Sequence, residues 1–137
     1  MQVSLIIATF NQSESLMILF KSIEMQTRIP DEIIIADDGS GEEVRKVINE
    51  VQQNSFLKIN HSWQENIGFR AAKSRNKAIA KSNFEYIIMV DGDMILHPKF
   101  IQDHIDNSKK GFYVQGSRVL LSESQTNKIF KNSKKNK

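Results

Sequence analysis

Residues 32–40 read Glu-Ile-Ile-Ile-Ala-Asp-Asp-Gly-Ser. The run Glu32–Ala36 is apolar and β-rich without alternation, the pattern of a strand buried on both faces. It stops abruptly at two carboxylates and a turn dipeptide. The same grammar occurs twice more. Upstream, Val3–Ala8 (VSLIIA) ends in Thr9-Phe10-Asn11; downstream, Tyr86–Val90 (YIIMV) ends in Asp91-Gly92-Asp93. Helical patterns separate the three runs, so the chain alternates β and α. That order predicts an α/β fold, a mostly parallel sheet with right-handed crossovers and helices on both faces. In open sheets of this kind ligands sit beyond the carboxyl ends of the strands. All three polar clusters are therefore carried toward one edge.

Between the strands, Leu16, Leu19, Phe20 and Ile23 recur at helical spacing, as do Val44, Val47, Ile48 and Val51. Phe56–Asn60 alternates and predicts a third, shorter strand. Asn66-Ile67-Gly68 is a loop. Phe69, Ala72, Ile79 and Ala80 mark a third helix, running to about Ser82. Pro98 suits the first turn of a fourth helix with Phe100, Ile101 and Ile105 as its apolar face. Phe112–Gln115 is a candidate further strand. From Ser122 the sequence turns polar, which predicts one domain over 1–121 and a disordered lysine-rich tail over 122–137. No internal repeat is visible.

The chain has 137 residues, enough for one core. It has no cysteine, so disulfides and thiol chemistry are excluded and a reducing compartment is compatible. No apolar run approaches the ~20 residues of a membrane span, and Val3–Ala8 lacks the basic flank of a signal peptide. The net charge of +3 comes from the tail: the last ten residues hold Lys128, Lys131, Lys134, Lys135 and Lys137 and no acid. Without them 14 basic side chains face 16 acidic ones, a balance of −2. A nucleic-acid-binding face is thereby excluded. The tail reads as a solvated end or as a contact to an anionic membrane surface. The expected location is cytoplasmic, either free or peripheral at the inner face of the membrane.

Asp91-Gly92-Asp93 is the sharpest chemical signal. Two carboxylates at a strand end suit a hard cation such as Mg²⁺ or Mn²⁺, which takes oxygen ligands and shares its sphere with substrate phosphates. A plain Asp-Gly turn is the alternative. In Asp37-Asp38-Gly39-Ser40 a carboxylate could accept hydrogen bonds from a base N–H or ribose hydroxyls, or Ser40 could simply cap the next helix. Two acidic clusters at neighbouring strand ends repel each other unless a cation or sugar–base donors intervene. Arg70, Lys73 and Arg75 lie on or near the third helix, where a guanidinium fork could meet diphosphate oxygens. His97 is a possible metal ligand four residues beyond the acidic pair. His61, His104 and Trp63 have no convincing partner in the sequence.

Taken together, these segments resemble family 2 glycosyltransferases. Leu5–Asn11 is similar to their opening strand and Ile35–Ser40 to their second strand end. Asn66-Ile67-Gly68 and Arg75-Asn76 are similar to their middle loop and helix, and Met89–Asp93 to their D-x-D. The match runs in order from about residue 2 to 120. The spacing of Gly68 to Arg75-Asn76 is most similar to bacterial capsule-type members such as the chondroitin polymerase domains. The resemblance implies a GT-A fold, Rossmann-like, and inverting transfer of a sugar from a UDP-sugar to a glycan acceptor with Mn²⁺ or Mg²⁺. It places Ala8 and Phe10 beside the base, with Phe10 where the family often has Tyr. It places Asp38 on the uracil edge, Asp37 in support of that loop, and Arg70 or Arg75 near the donor. Asp91 would reach ribose or metal, and Asp93 would bind the metal directly.

One departure sets a further expectation. The family's acceptor site and general base lie well beyond the D-x-D, whereas 44 residues follow Asp93 here. The resemblance therefore implies a chain truncated after the D-x-D region, without its general base. Such a chain would bind donor but transfer poorly, and its uncovered apolar surface could drive self-association. A non-catalytic nucleotide-binding or interaction module is the second reading. A phosphoacceptor receiver domain is a third, and it fails on order, because its acidic pair follows the first strand and here a whole β-α unit precedes Asp37.

Overall fold

A computed structural model describes residues 1–135; Asn136 and Lys137, counted above with the tail, lie outside the described residues. Chain order is β1 (Val3–Thr9), α1 (Ser13–Glu24), β2 (Glu32–Asp37), α2 (Glu42–Asn54), β3 (Ile59–Trp63), α3 (Ala71–Ala80), β4 (Tyr86–Asp91), α4 (Phe100–Asp106) and α5 (Glu123–Lys135). The sheet has the order β3-β2-β1-β4, and every pairing is parallel. The chain divides into two compact units, Met1–Asp106 and Asn107–Lys137.

The unbroken apolar runs form the central strands because both faces are covered. Val3, Leu5 and Ile7 of β1 and Ile33 and Ile35 of β2 pack with Leu16, Leu19, Phe20 and Ile23 of α1 and Val44 and Ile48 of α2. Ile6, Ile34 and Ala36 point the other way and meet Ala78 of α3. Alternation of side chains along a strand produces this division. Small residues on the α3 face let that helix lie close. Below the sheet, Asp31 accepts the Val3 N–H and pairs with Arg28, and Glu32 accepts Ser4 Oγ–H and two donors of Asn83. These contacts fix the amino ends of the strands, leaving the carboxyl ends for chemistry.

Four expectations need correction. The third strand is Ile59–Trp63, three residues later than the alternation of 56–60 implied. Leu57 is buried in front of it, and the ladder runs from Ile33↔Ile59 to Asp37↔Trp63. A polar edge strand escapes a search for apolar runs because its side chains are used for hydrogen bonds. Phe69 precedes α3 and is exposed, so it forms no part of that helix's apolar face. No strand forms over 112–115. Glu123–Lys135, read above as a disordered tail, is helical. Its start is a capping box: Ser122 Oγ accepts the Gln125 N–H at 3.1 Å, and Gln125 Oε1 accepts the Ser122 N–H at 3.0 Å.

Candidate functional site

The three strand-end clusters converge and are tied to one another by backbone-directed hydrogen bonds. After β1 the chain passes through Asn11 at φ 49°, a left-handed conformation that Asn tolerates. There the Asn11 N–H donates to Ser40 Oγ at 2.8 Å, and Asn11 Oδ1 accepts the Gly41 N–H at 2.9 Å. The loop after β1 is thus bolted to the loop after β2. On the other side the Gly92 N–H donates to the Ala8 carbonyl at 2.7 Å. A Cβ at Gly92 would lie 3.0 Å from that carbonyl oxygen, a tight contact that glycine avoids. Beyond it, the Leu96 N–H donates to buried Ser22 Oγ, and Gln26 binds the His97 carbonyl and the Ile101 N–H. The acidic turn is anchored at both ends.

The neighbours Asp37 and Asp38 have separate tasks. Asp37 is fully buried; Oδ1 accepts the Ser40 N–H at 2.8 Å and Oδ2 accepts from His61 Nε2 at 2.7 Å. Burial pushes its carboxyl up, but the bonds from His61 and Ser40 together outweigh burial and hold it below the ordinary carboxylate range. Asp38, 7% exposed, accepts Gln64 Nε2–H at 2.7 Å on one oxygen and the Arg70 backbone N–H at 2.8 Å on the other. It therefore holds the loop between β3 and α3. Gly39, at φ 97°, packs under the same loop: a Cβ there would fall 2.4 Å from the Asn66 nitrogen. Trp63 Nε1–H donates to the Ser40 carbonyl at 3.0 Å.

Above these ties lies a cleft of about 440 Å³ over the ends of β2, β1 and β4. Ala8, Ala36, Ala71 and Ser74 contribute small side chains to its lining. Asp38, Asn66 and Phe69 border it on the β2 side, and Asp91, Asp93 and Arg75 on the β4 side, with Phe10 following β1, the strand between those two in the sheet. Arg75 Nη2 contacts Asp91 Oδ1 at 2.9 Å. Thr9 Oγ1 and Ser74 Oγ are buried without a hydrogen-bond partner.

Six of the residues singled out in the sequence, Ala8, Phe10, Asp38, Arg75, Asp91 and Asp93, line this one cleft. Asp37 and Arg70 do not. Asp37 lies beneath it, and the Arg70 guanidinium turns to the Glu65 carbonyl at 2.8 Å while its backbone serves Asp38. His97 stays outside the cleft, its Nδ1 accepting the Lys99 N–H. His61, without a partner in sequence, is bound to Asp37; Gln64 was hidden in a stretch without periodicity, and Phe69 was assigned to the apolar face of the third helix instead of the cleft. Among the described residues no group of three or more His, Cys, Asp and Glu side chains could enclose a metal. Two carboxylates beside an open cleft nevertheless fit the donor set of Mg²⁺ or Mn²⁺, which take the rest of their ligands from water and phosphate.

A family model described as Glycosyl transferase family 2 matches residues 4–135. Chondroitin synthase of Escherichia coli is 30% identical over 104 residues, 75% of this chain and 15% of that protein. In fold the chain is similar to S. aureus TarS 1–349 in complex with UDP-GlcNAc, with TM-score 0.64 and 23% identity, over 85% of this chain and 38% of that one. It is also similar to the mannosyltransferase PcManGT of Pyrobaculum calidifontis in complex with GDP-Man and Mn²⁺, with TM-score 0.63 and 21% identity, over 77% of this chain and 30% of that one. The chain spans less than half the length of each of these three proteins. The all-parallel sheet flanked by helices is of the GT-A class.

Proposed function

The chain belongs to glycosyl transferase family 2, and from its cleft we propose that it binds a nucleoside diphosphate sugar, a UDP-sugar, together with a divalent cation. One observation carries this reading: Asp38, Arg75, Asp91 and Asp93 come from three different segments and line a single cleft at the carboxyl ends of the strands. Asp93 and Asp91 would hold Mn²⁺ or Mg²⁺, which when bound would neutralise the diphosphate and assist its departure. Arg75 offers a guanidinium to the phosphates from the same side. Ala8 and Phe10 flank the base and Asp38 stands at its end of the cleft. Asp37 acts from below, by fixing the turn that carries Asp38. S. aureus TarS with UDP-GlcNAc and PcManGT with GDP-Man and Mn²⁺ support the ligand class through likeness of fold.

The sugar would pass to a glycan acceptor in polysaccharide synthesis; the E. coli relative is named a chondroitin synthase. Deprotonating the acceptor hydroxyl needs a base within hydrogen-bond reach. The only carboxylates on the cleft among the described residues are Asp38, Asp91 and Asp93. Asp38 is hydrogen-bonded twice, and the other two belong to the cation. That observation favours, as a second reading, a donor-binding module whose own transfer is slow. No helix among the described residues is long and apolar enough to cross a membrane. Calorimetry with UDP, with and without Mn²⁺, tests the first reading. The expected result is binding that strengthens with Mn²⁺ and loses that dependence in Asp93→Ala; equal metal dependence in the variant would remove Asp93 from the metal site.

A further inference from the structure

Phe69 is 93% exposed and yet borders the cleft. A bare phenyl ring in water is unfavourable, and the third-helix pattern that its sequence suggested would have buried it. Instead it sits on a short loop that buried groups hold in place. Asp38 accepts the N–H of the next residue, Arg70, and the side chain of Gln64 at the loop's start. The Gln64 N–H donates to the Asp37 carbonyl at 3.1 Å, and Gln64 Nε2 also reaches the Arg70 carbonyl at 3.3 Å. The Asn66 backbone rests on Gly39, where no side chain could fit. The loop is clasped at both ends and its middle, and the clasp leaves the ring outside.

The second aromatic ring on the cleft is Phe10, 43% exposed. It follows β1, whereas Phe69 is tied to the end of β2. Ala8, Ala36 and Ala71 line the same cleft, with side chains too small to fill it. The charged pair Asp91–Arg75 and Asp93 lie at the β4 end, away from the Asp38 loop in the strand order. The cleft thus carries two aromatic rings and small apolar side chains beside Asp38 and Asn66, while Asp91, Arg75 and Asp93 gather at β4.

We propose that Phe69 is a nucleobase-stacking residue, and that Asp38 and Gly39 contribute to base binding by holding the loop that presents it. The inference rests on the nucleotide-binding reading above and adds the ring that recognises the base. A planar heterocycle seated in the cleft beside these alanines covers the exposed ring and excludes water from it. Stacking of this kind tolerates different bases because each has a π-face. Asp38 then has a structural task in addition to any contact with the base edge, which explains why both of its oxygens face the loop.

The test is calorimetry of wild type, Phe69→Ala and Phe69→Tyr with UDP, uridine, UDP-GlcNAc and Mn²⁺-pyrophosphate. Because Phe69 is exposed, the variants should melt with the wild type. Phe69→Ala should weaken UDP and uridine alike, by about fivefold to a hundredfold, with pyrophosphate unchanged and Phe69→Tyr close to wild type. In Phe69→Trp, UDP should quench a tryptophan emission beyond the signal that Trp63 gives in wild type. Wild-type affinity for UDP in Phe69→Ala would overturn the inference alone, as would a loss confined to UDP-GlcNAc, which would assign the ring to the sugar. A parallel loss of pyrophosphate would also overturn it, since the loop would then be shaping the whole cleft. Failure of the wild type to bind any nucleotide would overturn the donor reading, and this inference with it.

Discussion

Asp37 and Asp38 are identical in type and adjacent in sequence, yet only one borders the cleft. Alternation along β2 sends Asp37 into the protein, and the sequence cannot show that its partner will be His61, 24 residues away on the neighbouring strand. The cleft residues at the ends of β1, β2 and β4 were legible because each lies at or just beyond a strand end, and Arg75 because a guanidinium on a helix stood out; their supports were not, because His61 and Gln64 acquire their meaning from parallel pairing. Asp37 predicts a pH dependence. Its folded pKa is depressed, so its contribution is fully present above the unfolded value of about 3.9 and is lost as pH falls through the folded value. Asp37→Asn should cost about 1–3 kcal/mol at neutral pH, and the gap to wild type should narrow below about pH 4. Denaturant melts from pH 3 to 7 read this directly; a constant gap would mean that the carboxylate charge is not what holds Ser40 and His61. Arg75 predicts competition, because its guanidinium lies on Asp91, a carboxylate proposed for the cation. The pair is partly exposed and so worth at most about 1 kcal/mol. Arg75→Ala should therefore raise affinity for Mn²⁺ alone by at most a few-fold and lower affinity for UDP. Titrations with manganese detected by spin resonance separate the two effects, and an unchanged pair of affinities would make the contact incidental.

At the scale of elements, the buried strands and the first two helices follow from apolar pattern alone, since both faces of β1 and β2 are covered. For β3 the alternation of 56–60 gave a strand but misplaced its bounds, because Asn60, His61 and Ser62 of the observed edge strand have the composition of a loop. The capping box of Ser122 and Gln125 was present in the sequence, but a polar helix without an apolar stripe is hidden by its composition. The loop from Gln64 to Arg70 is the element that decides the shape of the cleft, and two of its glycine contacts can be told apart experimentally. Gly39 and Gly68 both have positive φ, at 97° and 70°. An added Cβ at Gly68 meets nothing within 4 Å, whereas at Gly39 it collides with the Asn66 backbone. Gly68→Ala should cost about 1 kcal/mol through conformation alone. Gly39→Ala should cost distinctly more and also weaken UDP binding, because the loop must lift. Thermal melts and UDP calorimetry on the two variants check this, and equal losses would show that the loop yields without cost.

For the whole molecule, donor binding and sugar transfer are separable demands. Binding needs the strand-end cleft, and the unit Met1–Asp106 contains every residue that lines it. Transfer also needs the acceptor hydroxyl in line with the anomeric carbon and a base to take its proton. Positioning can be worth about 7–11 kcal/mol of barrier, and a general base contributes roughly 10²–10⁴-fold. The cleft offers three carboxylates: one accepts two hydrogen bonds from the loop it holds, and two stand at the proposed cation. Taking the acceptor's proton with Asp91 or Asp93 would compromise the charge that neutralises the diphosphate. Binding substrate without stabilising the transition state leaves the chemical step where it was. The 137-residue chain should therefore bind UDP-sugar, hydrolyse it slowly, and transfer it to glycan acceptors far more slowly than the longer relatives of its family. Release of UDP from a panel of UDP-sugars, measured with and without acceptor oligosaccharides, makes the comparison. An acceptor-dependent rate matching a full-length family member would mean that a group on this chain takes the proton, and Asp38, on the base side of the cleft, would be the first to substitute.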